Sequence, residues 1–164
     1  MSLPRRARAA ALSLAFFGSF GALAAPAAAQ GAPAGCTGKP SATWINVIVE
    51  GVRSSRGLMA VTLYEDNSRK FLVKHGSLYV GRSPATAGTT RTCIYLPQPG
   101  VYALALYHDE NANQSFDRTG IGLPAEGYGF SNNPATLAGL PSFRSVRLAI
   151  PRTGMTTRIQ MKYP

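Results

Sequence analysis

Acidic side chains are scarce in this chain. Seven Asp and Glu stand against 17 Lys and Arg, a formal net charge of +10. The basic residues are nowhere concentrated: Arg53 and Arg56, Arg69 with Lys70 and Lys74, Arg144 and Arg147, and Arg158 with Lys162 are scattered. A nucleic-acid partner asks for a concentrated basic stripe, so that class is set aside. A dispersed positive surface keeps a domain soluble or meets acidic envelope polymers. Histidine is limited to His75 and His108, and cysteine to Cys36 and Cys93. Two lone cysteines without a neighbouring histidine make a poor thiolate metal site. No long segment carries a 3.6-residue apolar period and no internal repeat is visible, which argues against helical bundles and solenoids.

The N-terminus reads as a targeting segment. Arg5, Arg6 and Arg8 precede an apolar run from Ala9 to Ala25, and Ala27, Ala28 and Ala29 supply a small-residue cleavage site. Cleavage after Ala29 leaves residues 30–42 as an extended leader and 43–164 as the folded domain. The run falls short of the roughly 20 apolar residues a membrane span needs, so no transmembrane segment is expected once the signal is removed. A lipid-modified cysteine would follow the run closely, with a larger aliphatic residue three positions ahead of it. Cys36 lies well past the run, with Pro33 in that place. The destination is periplasmic or extracellular, and in such an oxidising compartment Cys36 and Cys93 are expected to pair. Closing that loop stabilises by roughly 4 kcal/mol on the chain-entropy account.

Past the leader, short alternating runs dominate. Ile45, Val47 and Val49 share one face, as do Met59, Val61 and Leu63 in a second run. Residues 91–96 form another strand, and 101–108 is apolar on both faces, as a central strand would be. A short helical turn capped by Asp66 or Asn67 is expected before Gly76. Residues 143–150 and 155–163 read as a hairpin around Pro151 to Gly154. About seven strands in a domain of this size predict an all-β, antiparallel β-sandwich of immunoglobulin-like or transthyretin-like type, with one long functional loop.

That loop, His108 to Asn133, holds four carboxylates, five amide side chains and a histidine. Long loops without structure of their own are usually functional or disordered, and Ile121, Tyr128 and Phe130 argue against disorder. Asp109, Asn111, Asn113 and Asp117 fall at the first, third, fifth and ninth places of a calcium-loop template, with Ser115 at the seventh. Phe116, at the eighth, takes the position that tethers such a loop to a core. Gln114 replaces the template's glycine and Gly120 its closing glutamate; Glu126 is the nearest later carboxylate able to complete the shell, with Glu110 the alternative. Hard oxygen donors of this kind suit calcium. The same residues also suit a self-capping turn, and both readings stand. His108 with Asp109, Glu126 and Ser131 contains residue types used in acid-base and nucleophilic chemistry. Ser131, however, lacks the glycines of a nucleophile elbow.

The segments Gly100-Val-Tyr-Ala, His108-Asp-Glu-Asn-Ala-Asn with Asp117, and Gly120-Ile-Gly-Leu-Pro-Ala-Glu-Gly-Tyr-Gly-Phe-Ser-Asn-Asn carry a resemblance. So do Gly57 to Tyr64 and Pro141-Ser-Phe. Together, over about Val47 to Tyr163, the chain resembles a bacterial secreted family, domain of unknown function 2141. Members of that family more often have glycine where this chain has Gln114. The resemblance implies an exported β-sandwich and no established activity. The leading expectation is therefore a non-enzymatic exported module whose loop, 109–126, holds calcium and faces an envelope component or saccharide. Ligand-binding candidates are His108, Tyr128, Phe130, Asn132 and Asn133. The alternatives are a hydrolase-like enzyme using His108, Asp109 and Glu126, and a purely structural envelope protein.

Overall fold

The computed structural model describes residues 31–164 apart from Ala138; the expected signal segment, 1–29, lies outside the described residues. Eight strands and one helical turn follow in chain order. They are β1 (Thr43–Val52), β2 (Leu58–Glu65), β3 (Tyr79–Pro84), β4 (Gly88–Leu96), β5 (Gly100–Asp109), β6 (Gly127–Phe130), α1 (Phe143–Val146), β7 (Arg147–Ile150) and β8 (Met155–Gln160). They build two sheets, ordered β4-β1-β8 and β3-β2-β5-β6, with β7 pairing β5 as well. The fold is an all-β sandwich, as the alternation predicts. Its order differs from the immunoglobulin constant-type arrangement, in which the first strand pairs the second; here β1 pairs β4 and β8.

The apolar faces meet where the alternation aims them. Ile45, Val47 and Val49 of β1 pack with Met59, Val61 and Leu63 of β2 and with Leu104 and Leu106 of β5 between the sheets. Strand β5 is buried from Tyr102 to Leu106 without interruption. It is flanked by β2 on one side and, in succession, by β7 and β6 on the other. A central strand covered on both faces needs a continuous apolar run, which is what the sequence has there.

Cys36 and Cys93 are disulfide-bonded across a sequence separation of 57. The bond fixes the leader beside β4, where Thr37 accepts the Tyr95 N–H (2.9 Å) and donates its own N–H to the Cys93 carbonyl (3.0 Å). That pairing covers part of an otherwise open sheet edge.

Four local expectations are corrected. Strands β7 and β8 do not form a hairpin; they lie in different sheets, and β8 runs parallel to β1. The turn between them docks on the start of β1, with Gly154 N–H donating to the Trp44 carbonyl (2.9 Å) and Trp44 N–H to Thr153 Oγ1 (3.1 Å). Ile150 and Ile159 thereby enter the same core from opposite sides. Residues 143–146 are helical rather than extended, because Phe143 and Val146, three apart, both face the outer apolar cluster. The span from Glu65 to Gly76 contains turns and no helix. Asn67 Oδ1 does accept the Arg69 N–H (3.0 Å), but Leu72 and His75 sit at positive φ (56° and 60°), which stops a right-handed helix from propagating. The long loop is also shorter than its composition suggests, since 127–130 form β6.

Candidate functional site

The loop leaves β5 at Asp109, whose carboxylate is fully buried. Its Oδ1 accepts the Asn113 N–H (3.0 Å) and its Oδ2 the Gln114 N–H (2.8 Å). Asn111 Oδ1 also accepts from Asn113 N–H (3.0 Å), and Asn113 Oδ1 from Ser115 N–H (2.8 Å). The Asn111 and Asn113 amides donate to the Asp117 carboxylate at 2.8 and 3.1 Å. Gln114, at the template's glycine position, takes φ 64°. The backbone thus makes the sharp left-handed step that glycine would make without strain. Arg82 Nη2 ties the step to β3 by donating to the Gln114 carbonyl (3.1 Å).

Glu126 closes the loop from beneath. It is buried, its Oε2 accepts the Asp117 N–H (3.1 Å), and burial, with the Asp117 and Asp109 charges, pushes its carboxyl above the usual range. No group of three or more His, Cys, Asp or Glu side chains among the described residues is placed to hold a metal ion.

Beside the loop, His108 is fully buried, with Nε2 2.8 Å from the Arg56 carbonyl and Nδ1 2.8 Å from the Tyr163 hydroxyl. A carbonyl only accepts, so Nε2 carries the proton, and in the neutral ring Nδ1 then accepts from Tyr163. Tyr163 also accepts the Arg53 N–H (3.1 Å) and lies under the Arg53 guanidinium (4.5 Å to the ring centre). Arg53 in turn pairs with Glu110, holding that carboxyl down at about 2. His108 therefore pins the C-terminal residues and the β1–β2 turn to the end of β5. Gly57 is required in that turn: at φ 67° a Cβ would collide with the Asp109 carbonyl and the Glu110 backbone.

The outer face of the five-stranded sheet carries a second apolar cluster and a cavity. Thr62, Ala105 and Phe130 form one row across β2, β5 and β6, and Tyr107 and Tyr128 are paired in the next. Small side chains at Thr62 and Ala105 leave a hollow of about 250 Å³. Tyr64, Tyr107, Phe116, Tyr128 and Phe130 wall it, with Leu72 and Leu140 at its sides. Burial pushes the Tyr64 and Tyr107 hydroxyls above their ordinary values. Phe116 comes from the acidic-amide loop and packs on Tyr107 at 5.5 Å between ring centres. Arg118, also from the loop, lies over Phe116 (5.0 Å) and lines the cavity with Lys74. Loop and cavity are therefore one construction: the self-capped turn positions one aromatic wall.

A family profile described as an uncharacterized protein conserved in bacteria (DUF2141) matches residues 47–159. The chain is a DUF2141 protein. No curated protein and no solved structure matches it. The span that matches DUF2141 includes the whole loop and every residue named above as lining the cavity.

The structure sorts the candidates expected of this DUF2141 chain into three groups. Asp109, Asn111, Asn113, Ser115, Asp117 and Glu126 are brought together in the loop. Tyr128 and Phe130 line the cavity. His108 faces its own partners, and Asn132 and Asn133 serve as connectors. Asn132 Nδ2 donates to the Arg147 carbonyl (2.8 Å), and Asn133 Oδ1 accepts the Gln160 N–H (2.8 Å). Ser131 Oγ is buried and accepts the Leu104 N–H (3.0 Å). Reading by loop composition overlooked Tyr64, Tyr107, Lys74 and Arg118 as wall residues. The available signal was Thr62 and Ala105 alternating with tyrosines on the strand face turned away from the core.

Proposed function

We propose that this DUF2141 protein is an exported, non-enzymatic binding module that takes a small envelope-derived molecule, a saccharide being one class, in the outer cavity. The observation that carries this reading is an aromatic-walled hollow of about 250 Å³, one of whose walls is supplied by the most elaborately hydrogen-bonded loop in the domain. Concave, mostly apolar sites with a few polar groups are the usual form of small-molecule sites. Export is supported by the basic, apolar, small-residue order of the N-terminus and by the disulfide. No helix among the described residues is long and apolar enough to cross a membrane.

The hydrolase alternative loses support from geometry. Both His108 ring nitrogens are engaged and the ring is buried, and Glu126 is occupied beneath the loop. A general base must reach a substrate proton, and no His, Asp or Glu lines the cavity. A weakly held calcium ion in the loop is compatible with the same arrangement. The Asn111 and Asn113 carbonyl oxygens each accept one N–H and retain a second lone pair. An ion would take over the Asp117 carboxylate from the two amides and share it with those two carbonyl oxygens. Its part would be to hold Phe116 and Arg118 in place.

The test is ligand-observed NMR of the protein with glucose, N-acetylglucosamine and 4-hydroxybenzoate, followed over a day. Binding of at least one compound with every spectrum otherwise unchanged is expected. Conversion of a compound by the native but not the boiled protein overturns the non-enzymatic reading, and silence across the panel removes its support.

A further inference from the structure

The charges around the cavity are one-sided. No Asp, Glu, Asn or Gln lines it, whereas Lys74 and Arg118 both do. The ion pairs among the described residues are Arg53–Glu110, Lys70–Glu65, Arg147–Asp66 and Arg158–Glu50. Neither Lys74 nor Arg118 therefore has a carboxylate partner. The acids on the neighbouring segments are engaged elsewhere: Glu65 with Lys70, Asp66 with Arg147, Asp109 and Glu126 with loop N–H groups, and Asp117 with the Asn111 and Asn113 side-chain amides.

Arg118 is held at the cavity by its own contacts, and Lys74 is delivered there by the backbone of its turn. Arg118 stacks on Phe116 and donates from Nη1 to the Gly122 carbonyl (2.9 Å). That leaves the other guanidinium N–H groups for a ligand, and a planar fork fixed in this way loses little freedom on binding. Lys74 lies between Leu72 and His75, both in the left-handed region. Such residues strain the backbone, and strain of this kind persists only where surroundings enforce it. Here the enforcing contact is the buried Phe71 ring, in edge contact with Tyr64 at 5.2 Å.

Resting on the binding reading above, we propose that the occupant is a small organic anion: a flat or short apolar body carrying one carboxylate, recognised by Lys74 and Arg118 at the cavity rim. A dry apolar cavity of about 150 Å³ holds benzene, so this one accommodates on the order of ten non-hydrogen atoms. A neutral sugar would find no planar amide or carboxylate in the walls to pair its hydroxyls. An aromatic or alicyclic acid fills the walls with its ring and leaves the carboxylate at the cations, where charge-assisted bonds are the stronger kind.

The experiment compares 4-hydroxybenzoate with its neutral amide, 4-hydroxybenzamide, by following backbone amide shifts of the intact protein. The acid should shift the Ala105, Tyr107, Tyr128 and Phe130 resonances saturably, and the amide should bind at least roughly five-fold more weakly. Lys74→Gln and Arg118→Gln, both at exposed positions, should each lower the ratio of acid to amide affinity toward one. Equal binding of acid and amide, or an acid indifferent to both substitutions, overturns the anion proposal and leaves the cavity reading standing. If neither compound moves a cavity resonance while glucose or N-acetylglucosamine does, the anion proposal fails and the cavity reading stands; silence from all four removes both.

Discussion

Gln114 provides a quantitative test of the loop. It occupies φ 64°, its side chain is exposed, and its stabilising contacts run through the backbone: its N–H to Asp109 Oδ2 and its carbonyl to Arg82. Gln114→Gly removes the Cβ and leaves both bonds in place. An L-residue in the left-handed region costs roughly 1–2 kcal/mol, while glycine gives back about 0.5–1 kcal/mol through its freer unfolded chain. The net expectation is a gain of about 0.5–1 kcal/mol. For a domain of this size that corresponds to a rise of about 2–4 °C in Tm. Thermal melting reads the global effect, and hydrogen exchange at the Asn113 and Gln114 amides reads the local one. Both amides should exchange more slowly in the variant. An unchanged or lowered Tm with no slowing of exchange would refute the claim that strain at this step is what the glycine of the calcium-loop template relieves.

Other expectations follow from neighbouring contacts. With the loop binding calcium at a Kd of about 0.1–1 mM, as extracellular modules do, 5 mM calcium should add roughly 1–2 kcal/mol of stability. Magnesium should add less, and Asp117→Asn should remove most of the response; a wild-type Tm blind to calcium leaves the loop as a self-capped turn. The Glu110 carboxyl is held at about 2, below its ordinary 4.5, first by its bonds to Arg53. Its contribution is therefore present above pH 4.5 and is lost as the pH falls toward 2. Glu110→Gln should flatten that acid limb in pH-dependent melting, whereas Glu126, raised by burial, acts in the opposite sense in both proteins and cancels. Replacing Cys36 and Cys93 together with serine should cost about 4 kcal/mol in chemical denaturation and free the leader. A loss under 1 kcal/mol would mean that the leader contributes little beyond covering an edge.

Much of the sandwich was legible in the sequence because period-two alternation is strong in β1 and β2, and an unbroken apolar run marks β5 as central. The failures are tertiary. Nothing local in Pro151 to Gly154 says that the chain changes sheets there; the decision rests on Trp44, more than a hundred residues earlier. Four residues were too few to betray β6, whose two glycines mask its alternation. Gly129 has to be small because a Cβ would press on Leu106 and Ile159. The acidic-amide loop stood out by composition, and its pattern of Asx turns follows the template spacing. The cavity beside it did not stand out. It is made by what is small, Thr62 and Ala105, and by aromatics drawn from four separate segments, a relationship that only strand register reveals.

The central claim is that the cavity is where this protein binds. The most direct measurement is amide-shift mapping of a small fragment library on the wild type and on Ala105→Leu, which fills the cavity floor with one larger apolar side chain. The account predicts hits whose shifts converge on Tyr107, Phe116, Tyr128 and Phe130 and vanish in a folded Ala105→Leu. Hits that scatter over the surface, or that persist unchanged when the floor is filled, would contradict it.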